Sequence, residues 1–251
     1  MGDVGVARRP GGARAGLLST QAVSFRRDLA AAVVAMLAGL VLLRLYAGME
    51  LAGLLVGVGF VVGAGILLES AVRPYQAHTW TPADRVTLTR LTLIGLVTAL
   101  VADRLGENAP WVMIALASVA LVLDAVDGKI ARSTGTESEF GARFDMEADA
   151  FLILVLSIFV AMTMGGWVLA IGAMRYAYVA ASWGLRWLRL PVPPSYARKV
   201  VAAAQAITLL VVSAALLPAA VEVGAVALAL ILLLLSFVQC GWWQWRHRAN
   251  A

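Results

Sequence analysis

The residues most able to do chemistry are four carboxylates in one segment. It reads Asp124-Ala-Val-Asp127-Gly128-Lys-Ile-Ala131-Arg132, then eight residues, then Gly141-Ala-Arg-Phe-Asp145-Met-Glu-Ala-Asp149. Steps of three and four place Asp124, Asp127, Gly128 and Ala131 on one face of a helix, and Gly141, Asp145 and Asp149 on one face of the next. Each stripe joins acids to residues with almost no side chain, which leaves room for a ligand beside the carboxylates. Carboxylate oxygens are hard donors that suit magnesium, manganese or calcium. Zinc is disfavoured, because the only histidines, His78 and His247, lie outside the segment. Four acids exceed what one magnesium usually takes from protein, so a pair of ions sharing carboxylates and clamping a phosphate fits the set better. The spacing of the acids and the missing closing glutamate exclude an EF-hand.

The elements that must position these acids are membrane helices. Of the 251 residues, 61% are hydrophobic and only 14% charged, against roughly 45–50% and about 25% in ordinary soluble domains. The expected fold class is therefore all-α, a polytopic integral membrane bundle, and a soluble globular enzyme, a disordered chain and a nucleic-acid binder are excluded. Apolar runs at 29–46, 51–68, 86–102, 111–123, 144–164, 167–185, 200–217 and 223–240 predict eight helices. The first run is too long and starts too late for a cleaved signal peptide, and a second run follows at once, so the pair reads as a stable hairpin.

The net charge of +5 is explained by the positive-inside rule. With a cytoplasmic N-terminus, the four outer turns hold only Arg44 and Arg104 as basic residues. The inner side collects the N-terminal arginines, Arg73, Arg85, Lys129, Arg132, Arg143, Arg186, Arg189, Arg198, Lys199, Arg246 and Arg248. This asymmetry predicts both termini and the acidic segment on the cytoplasmic side, in the cell membrane. An ionised side chain at membrane depth costs about 2.5–3.5 kcal/mol on insertion scales, so such acids are expected to be functional. An intramembrane ion or proton pathway would also use inward-facing acids, but it does not require the interleaved Gly128, Ala131, Arg132 and Gly141.

The pattern D-x2-D-G-x2-A-R-x8-G-x3-D-x3-D, complete from Asp124 to Asp149, resembles the signature of the CDP-alcohol phosphatidyltransferase family. Just upstream, Asp84-Arg-Val-Thr87-Leu-Thr-Arg90 is similar to the start of that family's first core helix, although here Ala83 separates Pro82 from Asp84. The resemblance implies a six-helix core, a homodimer, and transfer from a CDP-linked donor, usually CDP-diacylglycerol, to a polar alcohol with release of CMP. It implies that Asp124, Asp127, Asp145 and Asp149 hold two Mg2+ or Mn2+ ions, with Asp149 also the general base. Gly128, Ala131, Arg132 and Gly141 match positions that line the family's nucleotide pocket. A catalytically inactive relative is the remaining alternative, and the intact set of four acids argues against it.

The expected organisation is a basic N-terminal segment over 1–28, linker-like in composition; a transmembrane hairpin over 29–80; a core over 81–240; and a cytoplasmic tail over 241–251. Arg175 lies inside an apolar run, and Arg198 and Lys199 follow the Pro-rich turn at 191–194, so these three are candidates for binding a phosphorylated acceptor. Positive-inside anchoring is the competing explanation, and it is preferred for Arg186 and Arg189. Glu137 and Glu139 read as solvated loop charges. Glu147 lies about 200° around the helix from Asp145 and points off the acidic stripe. Gly53 with Gly57, and Gly59 with Gly63, have the spacing of close helix contact, expected within the chain rather than as a dimer seam. Trp242, Trp243 and Trp245 with Arg246 and Arg248 read as an interfacial anchor among membrane lipids.

Overall fold

The computed structural model describes residues 11–72, 80–107, 109–134, 138–193 and 195–248, with the backbone alone for 11–23 and 127–134. The described residues form eight α-helices and no strand: α1 (Gly11–Tyr46), α2 (Leu51–Val72), α3 (Pro82–Asp103), α4 (Trp111–Thr134), α5 (Glu139–Met164), α6 (Leu169–Gly184), α7 (Tyr196–Ser213) and α8 (Ala219–Arg246). Two short 3-10 turns, Gly166–Val168 and Arg186–Arg189, flank α6. Six of these helices carry a stretch long and apolar enough to cross a bilayer. Helix α4 is apolar over Trp111–Val126. The expected helix count is met. Helix α1 begins at Gly11, inside the basic N-terminal segment, and no proline interrupts the sequence from Gly11 until Pro74.

Helix α3 is the centre of the bundle. It packs against α1, α2, α4 and α5, and 56% of its apolar window is buried, against 17% for α1 and α2. Ile94, Val97 and Leu100 of α3 meet Met113 and Ala117 of α4, Leu152 and Leu156 of α5 and Leu209 of α7 in one core. Lipid tails are as apolar as these side chains, so close shape contact holds such helices together. Glycines supply it. A Cβ at Gly57 would stand 2.5 Å from Leu40 and 3.1 Å from Ala99, and one at Gly53 would stand 2.8 Å from the Ala99 carbonyl oxygen. The Gly53 and Gly57 pair therefore makes an intramolecular seam with α3. Gly59 and Gly63 have nothing within 4 Å of that point, so this second pair makes no such seam. On the far side of the bundle, Gly172 of α6 lets α6 close onto Ser157 and Leu154 of α5.

Polar contacts fix the hairpin at both ends. At one end the Asp103 Oδ1 accepts the Glu50 N–H at 2.6 Å, and Arg104 Nη2 donates to the Ala47 carbonyl at 3.3 Å. At the other, the Asp28 Oδ2 accepts Trp80 Nε1 at 3.0 Å and Arg85 Nε at 2.7 Å. An aromatic cluster lies beside this second tether, with Phe25, Trp80, Phe140 and Phe144 in successive ring contact. That is the end where α3 and α5 begin and α4 stops.

Candidate active site

Local sequence sets the ends of the helices that build the site. Thr81 caps α3: its hydroxyl accepts the Asp84 N–H at 3.2 Å, while the Asp84 Oδ2 accepts the Thr81 N–H at 2.8 Å. This is a capping box with Pro82 in the first turn. Asp84 is almost fully buried and is spent largely on that cap. Ser138 caps α5, accepting the Gly141 N–H at 2.9 Å. The two caps touch through Gly141: a Cβ there would stand 2.9 Å from the Ser138 hydroxyl and 3.0 Å from the Asp84 Oδ1. Glycine at 141 thus lets α5 start against the N-terminus of α3, beside whatever room it leaves for a ligand.

One turn further along α5 stands Asp145, and one turn beyond it Asp149. Asp124 faces them from α4, and the three carboxylates can each offer an oxygen within 4.8 Å of the others. The sequence pattern had brought these three together, and the structure does so. Asp127 belongs to the helical backbone of α4, and its side chain lies outside the described residues, as do those of Gly128, Ala131 and Arg132. Glu137 lies outside them as well. Glu139 is exposed and pairs with Arg143 at 2.7 Å.

At the centre of the three acids is Arg90 of α3, a residue to which the sequence reading gave no role. Its guanidinium pairs with Asp124 at 3.0 Å through Nη1, with Asp145 through the same nitrogen and with Asp149 through Nη2. The Arg90 side chain is 0% exposed, whereas the acids are 36–37% exposed. The acids therefore present a closed side to the protein and an open side to an incoming ligand. One guanidinium offsets only one of three carboxylates, and like charges this close repel strongly away from bulk water. The surplus negative charge, the all-oxygen donor set and the open side fit hard divalent cations. Among the described residues no histidine joins the set; His247 stacks on Trp243 at 4.2 Å, near the end of α8. A signal for Arg90 existed in the sequence. It is a charge inside an apolar run, the same criterion that singled out Arg175.

The three candidate acceptor residues stand at this end of the bundle, and among the described residues Arg175 and Arg198 are engaged by other groups. Arg175 of α6 pairs with Glu147 and donates to the Met146 sulfur at 2.8 Å, on the side of α5 away from the stripe, where Glu147 was expected to point. Arg198 donates to the Pro193 carbonyl, and Lys199 is exposed on the first turn of α7. Behind them Gln244 of α8, almost fully buried, donates to the Leu188 and Leu190 carbonyls at 3.0 and 2.7 Å and accepts the Tyr178 hydroxyl. This pins the turn that leads into the basic pair. Arg189 caps α6 through the Ser182 carbonyl at 2.9 Å, a structural role.

Eight helices, six of them long and apolar enough to cross a bilayer, and three aspartates of α4 and α5 placed so that they could hold a metal ion define the class: a helical membrane protein with a convergent carboxylate site. The sequence model of the CDP-alcohol phosphatidyltransferase family matches residues 80–238, from Trp80 through most of α8, and the chain belongs to that family. It is therefore a transferase of phosphatidyl groups from a CDP-alcohol, in a family that is metal-dependent in general and serves phospholipid biosynthesis. No curated protein and no solved structure matches the chain.

Proposed function

We propose that this enzyme transfers a phosphatidyl group from CDP-diacylglycerol to a small polar alcohol, with release of CMP, at the cytoplasmic face of the cell membrane. The observation that carries the reading is the convergence of Asp124, Asp145 and Asp149 around Arg90 at one end of the bundle. A lipid donor must keep its tails in hydrocarbon while its nucleotide reaches water, and a site at helix ends meets both demands. Asp124, Asp127, Asp145 and Asp149 would hold two Mg2+ or Mn2+ ions. Such ions, when bound, supply Lewis-acid charge to the pyrophosphate.

The chain's own groups do the rest. Asp149 takes the proton of the acceptor hydroxyl on a carboxylate oxygen as the hydroxyl oxygen bonds to the phosphorus that carries diacylglycerol. The bond from that phosphorus to the CMP oxygen breaks, and its electron pair leaves with CMP. Gly128, Ala131, Arg132 and Gly141 line the nucleotide, with Arg132 offering a fork of donors to its oxygens. Arg90 keeps the acids converged by offsetting part of their repulsion before ions and donor arrive. Arg175, Arg198 and Lys199 receive the acceptor's phosphate where it has one. Residues 81–240 form the catalytic core, which pairs as a homodimer, and the hairpin braces it.

The test is incubation of the purified protein with CDP-diacylglycerol, Mg2+ or Mn2+ and a panel of alcohols, following CMP and lipid product together. Stoichiometric appearance of both with at least one alcohol is expected, and chelation should stop it. Cation flux in proteoliposomes with no CMP under any acceptor would overturn the proposal.

A further inference from the structure

An apolar cleft separates the hairpin from α3, on the side of α3 away from the acids. It is shallow and partly open to the surroundings. Leu29 and Val33 of α1, Ala64 and Gly65 of α2, and Leu88 and Leu91 of α3 line it. Its only polar wall residue, Thr92, donates its hydroxyl to the Leu88 carbonyl at 3.1 Å, so the lining asks for no hydrogen bond. No atom lies within 4 Å of where a Cβ would stand on Gly65. Met36 and Phe60, closed on Gly95, form the floor.

Place and lining select the occupant. The cleft runs along α1 from Leu29 to Met36, about 10 Å, and its walls are apolar apart from Thr92. The cleft lies within helices long and apolar enough to cross the membrane, where lipid tails are the available filler.

Charge selects the headgroup. Arg26 precedes the cleft-lining Leu29 by one turn, and Arg85 precedes Leu88 by one turn, so both lie at the same end of the cleft. Arg26, Arg27 and Arg85 are all exposed. The acids beside them are Asp28, engaged by Arg85 at 2.7 Å and Arg27 at 3.7 Å, and the exposed Glu69 of α2. Positive charge is left over at the mouth of an apolar slot.

We infer that the cleft between the hairpin and α3 is a binding site for one resident anionic glycerophospholipid, with a tail in the slot and its phosphate at Arg26, Arg27 and Arg85. The inference stands apart from the transfer reaction, and its readout is lipid retention. The full chain is reconstituted in nanodiscs of equal phosphatidylglycerol and phosphatidylcholine, extracted in mild detergent, and its retained lipid is counted by native mass spectrometry. One phosphatidylglycerol per chain is expected. Gly65→Leu, which fills the slot, lowers that retention about tenfold, and Arg26→Gln with Arg27→Gln, both at the surface, erases the preference over phosphatidylcholine by a similar factor. Undiminished phosphatidylglycerol in the arginine pair would overturn the inference whether or not Gly65→Leu folds. So would mole-for-mole displacement of the retained lipid by CDP-diacylglycerol with a raised donor KM in Gly65→Leu, since the slot would then be the donor's own tail channel.

Discussion

Helix α3 has two working faces built on opposite principles. Toward the hairpin it is apolar and shaped by glycine: Gly95 admits Met36 and Phe60, and Ala99 receives Gly53 and Gly57. Toward α4 and α5 it carries a sealed guanidinium among three carboxylates. The first face depends on surfaces fitting closely, because a lipid environment gives no hydrophobic reward for merely apolar contact. The second depends on charge balance, because a buried ion without its partners is costly however well it fits. Substitutions on the two faces should therefore fail in different observables, one in stability alone, the other in metal response and turnover.

The largest expected effect is on chemistry. Asp149→Asn keeps the shape of the stripe but removes the proton acceptor, so kcat should fall by about 10²–10⁴-fold. CDP-diacylglycerol binding, measured by calorimetry in detergent, should remain largely intact. Full turnover in this variant would remove Asp149 as the base and leave it as a ligand only.

Arg90→Met comes next. It leaves the carboxylates of Asp124, Asp145 and Asp149 facing one another with no counter-charge from α3. Breaking a buried ion pair from one side typically costs about 3–5 kcal/mol. The melting temperature in chelator should drop sharply, and Mn2+ should restore more of it in the variant than in the native chain. Equal metal-free melting temperatures would show that the charged face does not rest on Arg90.

The different visibility of the two faces in the sequence has the same physical origin. Asp145 and Asp149 were readable as one stripe because they lie four apart on α5, and Asp124 because α4 and α5 are consecutive helices joined by a short connection. Arg90 pairs with Asp145 and Asp149 across 55 and 59 residues, a distance over which no periodicity carries information. Hydropathy ended the fourth run at 123 and started the fifth at 144, whereas the helices reach Thr134 and begin at Glu139. Polar residues at a membrane boundary stay helical when capped, as Ser138 shows. The Gly53 and Gly57 spacing announced a close contact but not its partner, and only the fold distinguishes it from the open Gly59 and Gly63.

On the apolar face, Gly95→Leu should cost stability without touching chemistry. Even a Cβ at Gly95 would stand 2.7 Å from the Met36 sulfur and from Phe60, so a leucine there must displace both side chains from the seam. Overpacking of this kind costs about 1–3 kcal/mol. Thermal unfolding should register it, while Mn2+ affinity and kcat at a permissive temperature stay near native values. A matching loss of metal affinity would mean that the two faces are coupled through α3 rather than independent.

The smallest effect tests the reach of the charged face toward α6. Glu147 holds Arg175 in an ion pair whose members are 54% and 28% exposed, and such partly solvated pairs contribute about 0–1 kcal/mol. Glu147→Gln should therefore leave the melting temperature nearly unchanged. If Arg175 receives an acceptor phosphate, Glu147 competes with that phosphate for the same guanidinium. Its removal should lower the acceptor KM a little, while Arg175→Ala raises it and the donor KM stays put in both. An acceptor KM indifferent to both substitutions would confine Arg175 to bracing α5 against α6, and the acceptor's recognition would then fall to Arg198 and Lys199.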